Sequence, residues 1–421
     1  MLRRSIPLLV LAALGAAGCE CAASHVRSDA GGGDDAGTDA ASAPDAGAPD
    51  AGPPPDGVPV LVASTLPDDH VVALSLAPDG TWVRAEADVA LPGIPRRIEL
   101  GPDGTDALVT YVTTIDGERG VVALSVERRP LRITATQTLV LPGPGDLAYL
   151  GYLGPDTAVV VRYVSDDQHE LITLRRDAAG AWSADDPVAF PVAWPRAPLP
   201  IGGAPGRGLV PRLNERDRRE PMTFYGVDAT VSPLTISTTP ATIDAIGVLA
   251  MHPTLDRGYL FAGTPGVPSD ETQTGQLHVL DEGRPDLWLV LGPYFALPNE
   301  PELAAVAPDG AFAMMLEPIV DIDHDPATGE PIFTRRGYGL DRVNLNASGV
   351  PQSVEVGLGR IEADRVEALG LLADGRVLVA RSIGSGPIEG AIVALELVGD
   401  RLEPQSQIVV DGLLRATFGR E

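Results

Sequence analysis

The segment with the clearest chemical potential lies between Asp321 and Glu330. Within it Asp321, Asp323 and Asp325 alternate with other residues, and His324 stands between two of these carboxylates. Carboxylate oxygens are the ligands that Ca2+ prefers, and the ion takes roughly six to eight of them. The segment therefore predicts a cation site with Ca2+ as the candidate ion, and His324 and Glu330 are further candidate ligand-binding residues.

The spacing of this acidic segment departs from the calcium-binding loop that joins two helices. Pro326 stands where that loop needs glycine, and Ile332 stands where it needs a bidentate glutamate. A solvated acidic loop with a turn at Asp325 to Gly329 is the alternative interpretation. Glu300 and Glu302, in a neighbouring connection, are candidates to complete a site for a cation or another ligand.

Other catalytic patterns are scarce. The six histidines are scattered singly, so no close pair has the spacing of zinc ligands. Gly384-Ser385-Gly386 lacks the Gly-x-Ser-x-Gly spacing of a nucleophile elbow. All 31 basic residues are arginines, which excludes mechanisms that need a Schiff-base lysine. These observations favour a binding protein over an enzyme and leave the question of activity open.

The charge balance excludes one class of partner. The 421 residues include 58 Asp and Glu against those 31 arginines, so the formal net charge is -27. Such a chain repels phosphates and has few counterions to release on binding them. We therefore expect no nucleic-acid partner.

The N-terminus predicts export. Arg3 and Arg4 precede an apolar run of about 12 residues, which is too short to span a bilayer but suits the core of a signal peptide. The run ends in Ala16-Ala17-Gly18-Cys19, which resembles the bacterial lipobox. The resemblance implies that residues 1–18 are removed, that Cys19 is lipidated, and that the lipid attaches the chain to a membrane. Ordinary secretion, with cleavage near residues 22–24, is the alternative.

Residues 19–57 have the composition of a tether. They consist almost wholly of Asp, Ala, Gly, Pro and Ser, and cannot bury enough apolar surface to offset the entropy of ordering. We expect a disordered spacer between the lipid and a folded body of residues 58–421. Similar spacers occur in envelope lipoproteins of Gram-negative bacteria, which implies a location in the cell envelope. Both cysteines, Cys19 and Cys21, precede the body, so it has no disulfide.

The body is built from a repeated pattern of an apolar strand followed by a turn. The turn residues recur at Asp103, Asp156, Asp256, Asp309 and Asp374, with spacings of 53, 100, 53 and 65 residues. In these turns Pro presets the first dihedral, Asp bonds its own backbone and Gly accepts a positive φ. A period of about 50 residues with several strands per unit indicates the blades of a β-propeller.

The two ends of the body complement each other. The first unit supplies only three strands, at Val60 to Ala63, Val71 to Leu76 and Trp82 to Leu91, whereas Leu413 to Gly419 is an orphan strand. Pairing the orphan into the first blade removes two open sheet edges. The sequence therefore predicts an all-β propeller of seven four-stranded blades, with the first blade closed by the C-terminal strand. Six or eight blades are the alternative counts, because the unit from about Val192 to Ile243 is rich in proline and its strands are hard to identify.

One unit carries a family resemblance. Ala304 to Ala313, in which two apolar strands flank Pro308-Asp309-Gly310, resembles the TolB-like and YVTN (lactonase-like) propeller repeats. The resemblance covers about 360 residues and implies the fold. It does not choose a function, because propellers host hydrolases, lactonases and pure scaffolds alike.

Ligands of such propellers usually bind on the face that carries the blade connections and the loops between second and third strands. The acidic segment belongs to one such predicted loop, from Pro318 to Gly337. Trp194 is a candidate ligand-binding aromatic, because it lies near a blade connection close to the central channel. Trp82, Trp182 and Trp288 each open a fourth strand, so shared packing explains them.

The leading hypothesis is an envelope-tethered lipoprotein whose propeller binds a protein or an envelope ligand without catalysis. The alternative is a metal-assisted hydrolase or lactonase on the loop face. That alternative needs carboxylates that converge on the channel together with Ca2+ or a similar ion.

Overall fold

The computed structural model describes residues 57–419 apart from 114–116, 193, 203, 213–220, 264–274, 285–286, 325–327, 329–330 and 384–388. Every regular element in these ranges is a β-strand. The described residues therefore include no helix long and apolar enough to cross a membrane. The strands form seven antiparallel sheets, which confirms the predicted all-β propeller and its blade count.

Each blade is one sheet whose strands follow one another outward from the centre. Blade 1 contains Val58–Ser64 (β1), His70–Leu76 (β2), Trp82–Arg84 (β3) and Val89–Ala90 (β4), and is completed by Leu413–Phe418 (β31). Blade 2 contains Ile94–Leu100 (β5), Asp106–Val112 (β6), Arg119–Arg128 (β7) and Leu131–Val140 (β8). Blade 3 contains Asp146–Gly154 (β9), Thr157–Tyr163 (β10), His169–Arg176 (β11), Trp182–Ala184 (β12) and Val188–Ala189 (β13). Blade 4 contains Leu199–Pro200 (β14), Arg207–Arg212 (β15), Met222–Asp228 (β16), Thr235–Ile236 (β17) and Ala241–Ile243 (β18).

The remaining three blades have unbroken outer strands. Blade 5 contains Ile246–Met251 (β19), Arg257–Gly263 (β20), Gly275–Arg284 (β21) and Leu287–Leu297 (β22). Blade 6 contains Leu303–Val306 (β23), Phe312–His324 (β24), Pro331–Leu345 (β25) and Pro351–Ile361 (β26). Blade 7 contains Arg365–Leu371 (β27), Val377–Ile383 (β28), Glu389–Val398 (β29) and Arg401–Asp411 (β30).

The innermost strands close a ring. They contact one another in the order β31, β5, β9, β14, β19, β23, β27 and back to β31. The C-terminal strand β31 pairs antiparallel with β1, with Val60 opposite Phe418 and Ala63 opposite Arg415. The predicted closure of the first blade is therefore confirmed, and it removes the open edges of both chain ends.

The core lies between the blades. Seven apolar clusters fill the seven interfaces between neighbouring sheets. On β24, for example, Ala313 and Met315 pack toward blade 5, whereas Met314 and Leu316 pack toward blade 7. Strands covered on both faces need apolar residues on both, so they lack a clean alternation of polar and apolar residues.

The turns behave as their residue types predict. Gly104, Gly310 and Gly375 have φ of 69°, 71° and 89°, a region that side chains with a Cβ seldom adopt. The Asp309 carboxylate accepts a hydrogen bond from the Ala311 N–H at 2.9 Å. Asp103 does the same for the N–H of Thr105 at 3.0 Å.

Two local predictions were wrong. Trp82 to Leu91 is not one strand, because β3 and β4 are separate pieces that both pair with β2. Pro318 to Gly337 is not a loop, because β24 and β25 continue past the sheet as a two-stranded arm that reaches His324 and Pro331. Residues with high strand propensity, such as Ile319 and Val320, extend the pairing.

Candidate functional site at the channel mouth

The acidic segment stands on this arm. Asp321, Asp323 and His324 are exposed residues at the end of β24. The Asp321 carboxylate already pairs with Arg336, with 2.6 Å between Oδ2 and Nε. In strand geometry Asp321 and Asp323 point to the same face of the arm. The described part of the segment, Asp321 to His324, is therefore the exposed end of a strand.

Several predicted site residues lie outside the described ranges, namely Cys19, Asp325 and Glu330. Among the described residues, no three His, Cys, Asp or Glu side chains come together in a way that could hold a metal ion. The Ca2+ site at Asp321, Asp323 and Asp325 therefore stays a prediction.

Glu300 and Glu302 lie immediately before β23, where the chain enters the inner ring of blade 6. The Tyr338 hydroxyl donates a hydrogen bond to Glu302 Oε2 at 2.9 Å. Close by, the Asn299 amide donates to Glu317 Oε2 at 2.7 Å. The predicted pair of glutamates thus belongs to a polar group at the upper end of blade 6, the end that carries the blade connections.

Two buried carboxyls of this blade have perturbed acidity. Burial raises the pKa of Glu317, and the nearby Asp341 carboxyl adds to the rise, while the bond from Asn299 opposes it. Burial also raises the pKa of Asp341, which is fully buried and accepts one bond, from the Gly357 N–H at 2.7 Å. Raised carboxyl pKa values are typical both of catalytic acids and of crowded structural groups.

Arginines from three neighbouring blades meet on another part of the channel wall. Glu367 of β27 binds both Arg365 of the same strand and Arg415 of β31, each at 2.8 Å. Burial, with the neighbouring Arg97 of β5 as the second cause, lowers the pKa of Arg415. The guanidinium groups of Arg97 and Arg415 are therefore close enough to repel each other. The Glu367 carboxylate pairs with two of the three arginines. We call Arg97, Arg365, Glu367 and Arg415 the arginine arc.

Aromatic residues continue the wall beyond the arc. The Arg97 guanidinium lies 4.7 Å from the centre of the Tyr149 ring, and it donates to the Arg96 carbonyl at 3.3 Å; neither contact neutralises its charge. Arg196 lies 5.6 Å from the same ring and donates to the Tyr149 hydroxyl. Arg96 pairs instead with Asp146, at 3.4 Å.

Trp194 adjoins this wall on the connection between blades 3 and 4. Its ring centre lies 5.5 Å from that of Tyr163 and 5.6 Å from that of His169. The Tyr163 and His169 rings are themselves 4.4 Å apart, edge to face. The structure therefore places Trp194 in an aromatic group with Tyr163 and His169, whereas the sequence predicted only its position near a blade connection.

Sequence reasoning missed the arginine arc and His169. A signal for the arc was present, because Arg97, Arg365 and Arg415 stand inside strands that should line the channel, where most residues are apolar. No signal pointed to His169, since its position beside Trp194 depends on the packing of two blades.

No protein-family model matches the chain, and no curated protein matches it. Solved structures do match across the propeller. A functionally unknown protein from Desulfotomaculum acetoxidans has a TM-score of 0.55 at 11% identity, covering 86% of this chain and 99% of that one. A Bacteroides uniformis protein provisionally named 6-phosphogluconolactonase has a TM-score of 0.55 at 13% identity, covering 86% and 100%. The periplasmic gluconolactonase of Pseudomonas aeruginosa has a TM-score of 0.53 at 13% identity, covering 86% and 99%.

The likeness is one of fold. It confirms the resemblance to lactonase-like propellers that the repeat pattern predicted. At this level of identity the shared architecture carries no residue roles from one protein to another.

Proposed function

We propose that the propeller is an envelope-tethered binding protein that takes a small organic anion at the mouth of its central channel. The observation that carries the proposal is the arginine arc, in which Arg365 and Arg415 share the Glu367 carboxylate and the Arg97 charge acts on Arg415, in a chain whose net charge is -27. The predicted lipid anchor at Cys19 supplies the tether.

The chemistry of the arc suits a carboxylate. Guanidinium groups present fixed forks of donors that match carboxylate and phosphate oxygens. Elsewhere an acidic surface repels anions, so an anion is favoured only where cations are concentrated and partly withdrawn from water. Burial and then the Arg97 charge lower the pKa of Arg415 although Glu367 raises it, and an incoming anion would offset the remaining repulsion between the guanidinium groups.

The structural neighbours agree with an anionic or sugar-acid ligand. Two of them carry names that refer to lactones of gluconate or its phosphate, and one of these names also refers to the periplasm. Export of the present chain is what its N-terminus predicts. These names support the proposal without fixing the ligand.

Calorimetric titration tests the proposal. The mature chain, with Cys19 replaced by serine, is titrated with gluconate, citrate and the uncharged sugar glucose. We expect the anions to bind and glucose not to bind. Arg415→Gln should weaken anion binding about tenfold, the effect of losing one charge-assisted hydrogen bond.

The matched control is Arg401→Gln, which removes an exposed arginine from the outer strand of blade 7. It should bind like the parent chain. Equal loss of affinity in the two variants, or binding of glucose as tight as that of gluconate, would show that the arc is not the site.

Lactone hydrolysis is the second candidate function. Glu317 favours it, because burial raises the pKa of this carboxyl, and a raised carboxyl pKa suits a general acid or base. Release of acid from gluconolactone measures the activity. Loss of turnover in Glu317→Gln supports this candidate function, and loss of turnover on chelation supports its metal-assisted form. If the parent chain hydrolyses gluconolactone no faster than buffer alone, both forms are excluded.

A further inference from the structure

One buried imidazole has no partner. His169 is 1% exposed, and neither of its ring nitrogens has a hydrogen-bond partner among the described residues. Leaving a buried polar group unsatisfied costs free energy, so native chains seldom tolerate it without a reason. The backbone of the same residue is satisfied, since its carbonyl accepts a bond from the Phe190 N–H at 2.8 Å. The side chain alone is unexplained.

Burial favours the uncharged form of the ring. Burial lowers the pKa of His169, and the Asp167 and Asp166 carboxylates only oppose that shift. A neutral imidazole offers one N–H donor and one acceptor nitrogen. Such a group can both donate to and accept from a ligand hydroxyl, and it can donate to a ligand carbonyl.

The Trp194 ring packs against this histidine, with 5.6 Å between the ring centres. The indole is half-buried, and Trp194 has φ of 64°, the one positive φ at a described residue other than glycine. The chain just after it is fixed, because the Tyr163 hydroxyl donates to the Pro195 carbonyl at 2.7 Å and the Arg196 N–H donates to the Pro211 carbonyl at 2.8 Å. Backbone strain held by fixed neighbours is typical of functional positions.

His252 shows what a structural histidine looks like in the same fold. It is 5% exposed, and burial lowers its pKa as well. Its Nδ1 accepts hydrogen bonds from the N–H groups of Thr254, at 3.2 Å, and Leu255, at 3.1 Å. Burial is thus common to both rings, whereas the lack of a partner distinguishes His169.

We propose that the Trp194 indole is a movable cover and that His169, once uncovered, hydrogen-bonds a neutral oxygen next to the carboxylate of the bound anion. The ligand class is then hydroxy, keto or lactone-forming acids. Arg196, two residues after Trp194, and Arg97 are placed to hold the carboxylate, since both lie against Tyr149. This step rests on the proposed anion binding.

Labelling with diethyl pyrocarbonate, read residue by residue by mass spectrometry, tests the cover without any ligand. Trp194→Gly removes the indole and suits the positive φ, whereas Trp194→Phe keeps an aromatic cover. We expect His169 to be labelled at least about tenfold faster in Trp194→Gly than in Trp194→Phe. His252 should be labelled equally in both. Equal labelling of His169 in the two variants would overturn the cover.

A pair of probes tests the hydrogen bond. Mandelate and phenylacetate share a ring and a carboxylate and differ by one hydroxyl. The full mature chain should prefer mandelate, by about tenfold. His169→Phe should abolish that preference while phenylacetate binds as before, and His169→Asn should restore part of it. A preference that survives in His169→Phe would contradict the assignment.

The two proposals fail differently. If neither probe binds the parent chain, anion binding falls and the ligand role of His169 falls with it, while labelling still decides whether Trp194 moves. If both probes bind through Arg415 but without discrimination by His169, the anion site stands and only the present inference is lost.

Discussion

The wall of the central channel has two unlike parts. The inner strands β27, β31, β5 and β9 of blades 7, 1, 2 and 3 carry charged residues, among them the arginine arc. The inner strands β14, β19 and β23 of blades 4, 5 and 6 contain no charged residue within their ranges, and their carboxylates, such as Glu302 and Glu317, stand at the upper end. We call these parts the basic wall and the apolar wall.

The two walls differ in charge but not in how they pack, so their comparison distinguishes residues needed for folding from residues that have another role. Both walls close the same ring and meet their neighbours through the same kind of apolar cluster. The apolar wall shows that ring closure needs no charge, and a partly buried guanidinium loses hydration that packing does not return. The apolar wall thus closes its part of the ring without charged residues, and the proposed anion site accounts for the arginines of the basic wall.

The largest expected effect comes from removing the carboxylate of the basic wall. Glu367→Gln leaves Arg415 without its counter-ion, and the loss of stability should be about 2 kcal/mol, mostly from Arg415 because the exposed Arg365 is well solvated. The same change should tighten gluconate binding a few-fold, since the local positive charge rises. Urea unfolding and calorimetry measure the two effects.

A variant that is less stable but binds gluconate more tightly is what an anion site predicts. Glu403→Gln, an exposed change on β30, should alter neither quantity by a measurable amount. If Glu367→Gln weakened both folding and gluconate binding, the arc would be a structural ion cluster. The charged residues of the basic wall would then serve folding, as the apolar residues of the other wall do.

A smaller effect is expected at the top of the apolar wall. Tyr338→Phe removes the hydroxyl that bonds Glu302, and its stability should fall by about 1 kcal/mol. Anion affinity should stay unchanged, because this bond lies on blade 6, outside the arc. Tyr294→Phe, at an exposed ring on β22, is the control and should leave the unfolding midpoint in place. A loss of anion affinity in Tyr338→Phe would mean that both walls contribute to one site.

The smallest effect is a change in pH dependence. Burial raises the pKa of Glu317 in the folded state, so the ionised carboxyl opposes folding, and stability falls as pH rises from the ordinary glutamate pKa through the folded value. Glu317→Gln removes this term. It should be more stable than the parent chain at neutral pH, and the gap should close in acid.

Urea midpoints measured across the pH range check this expectation, with Glu403→Gln as the solvated reference. The bond from Asn299, which a glutamine at this position can still accept, limits the gain. A gap that stayed constant with pH would show that Glu317 does not titrate abnormally.

The turn sequences made most of the fold predictable. Asp103 and Asp309 bond their own turns, and the glycines that follow hold positive φ, so the repeat could be recognised from local chemistry alone. The missing strand of the first unit and the orphan after Gly412 likewise indicated closure. The arm was missed because polar residues such as Asp321 and Asp323 suggested a loop, whereas strand pairing continued through them.

The site was less predictable. Glu302 and Trp194 were singled out from their connections, and the structure gives both of them polar or aromatic neighbours at the upper end of the blades. The residues that carry the proposals, Arg97, Arg415 and His169, were not predicted. The two arginines were a signal that was overlooked, whereas the position of His169 beside Trp194 depends on the packing of two blades.

By itself the sequence determined the strand-and-turn repeat and the pairing of the two chain ends, because these follow from interactions between residues close in the chain or from an unpaired edge. It favoured seven blades, and the structure settled that number. Only the tertiary structure decided that Arg97 and Arg415, which are 318 positions apart, lie on neighbouring inner strands close enough to repel each other. It also decided that Trp194 lies over His169. Electrostatic and packing contacts of this kind depend on distance in space, which a repeat pattern specifies for the backbone ring and not for the side chains within it.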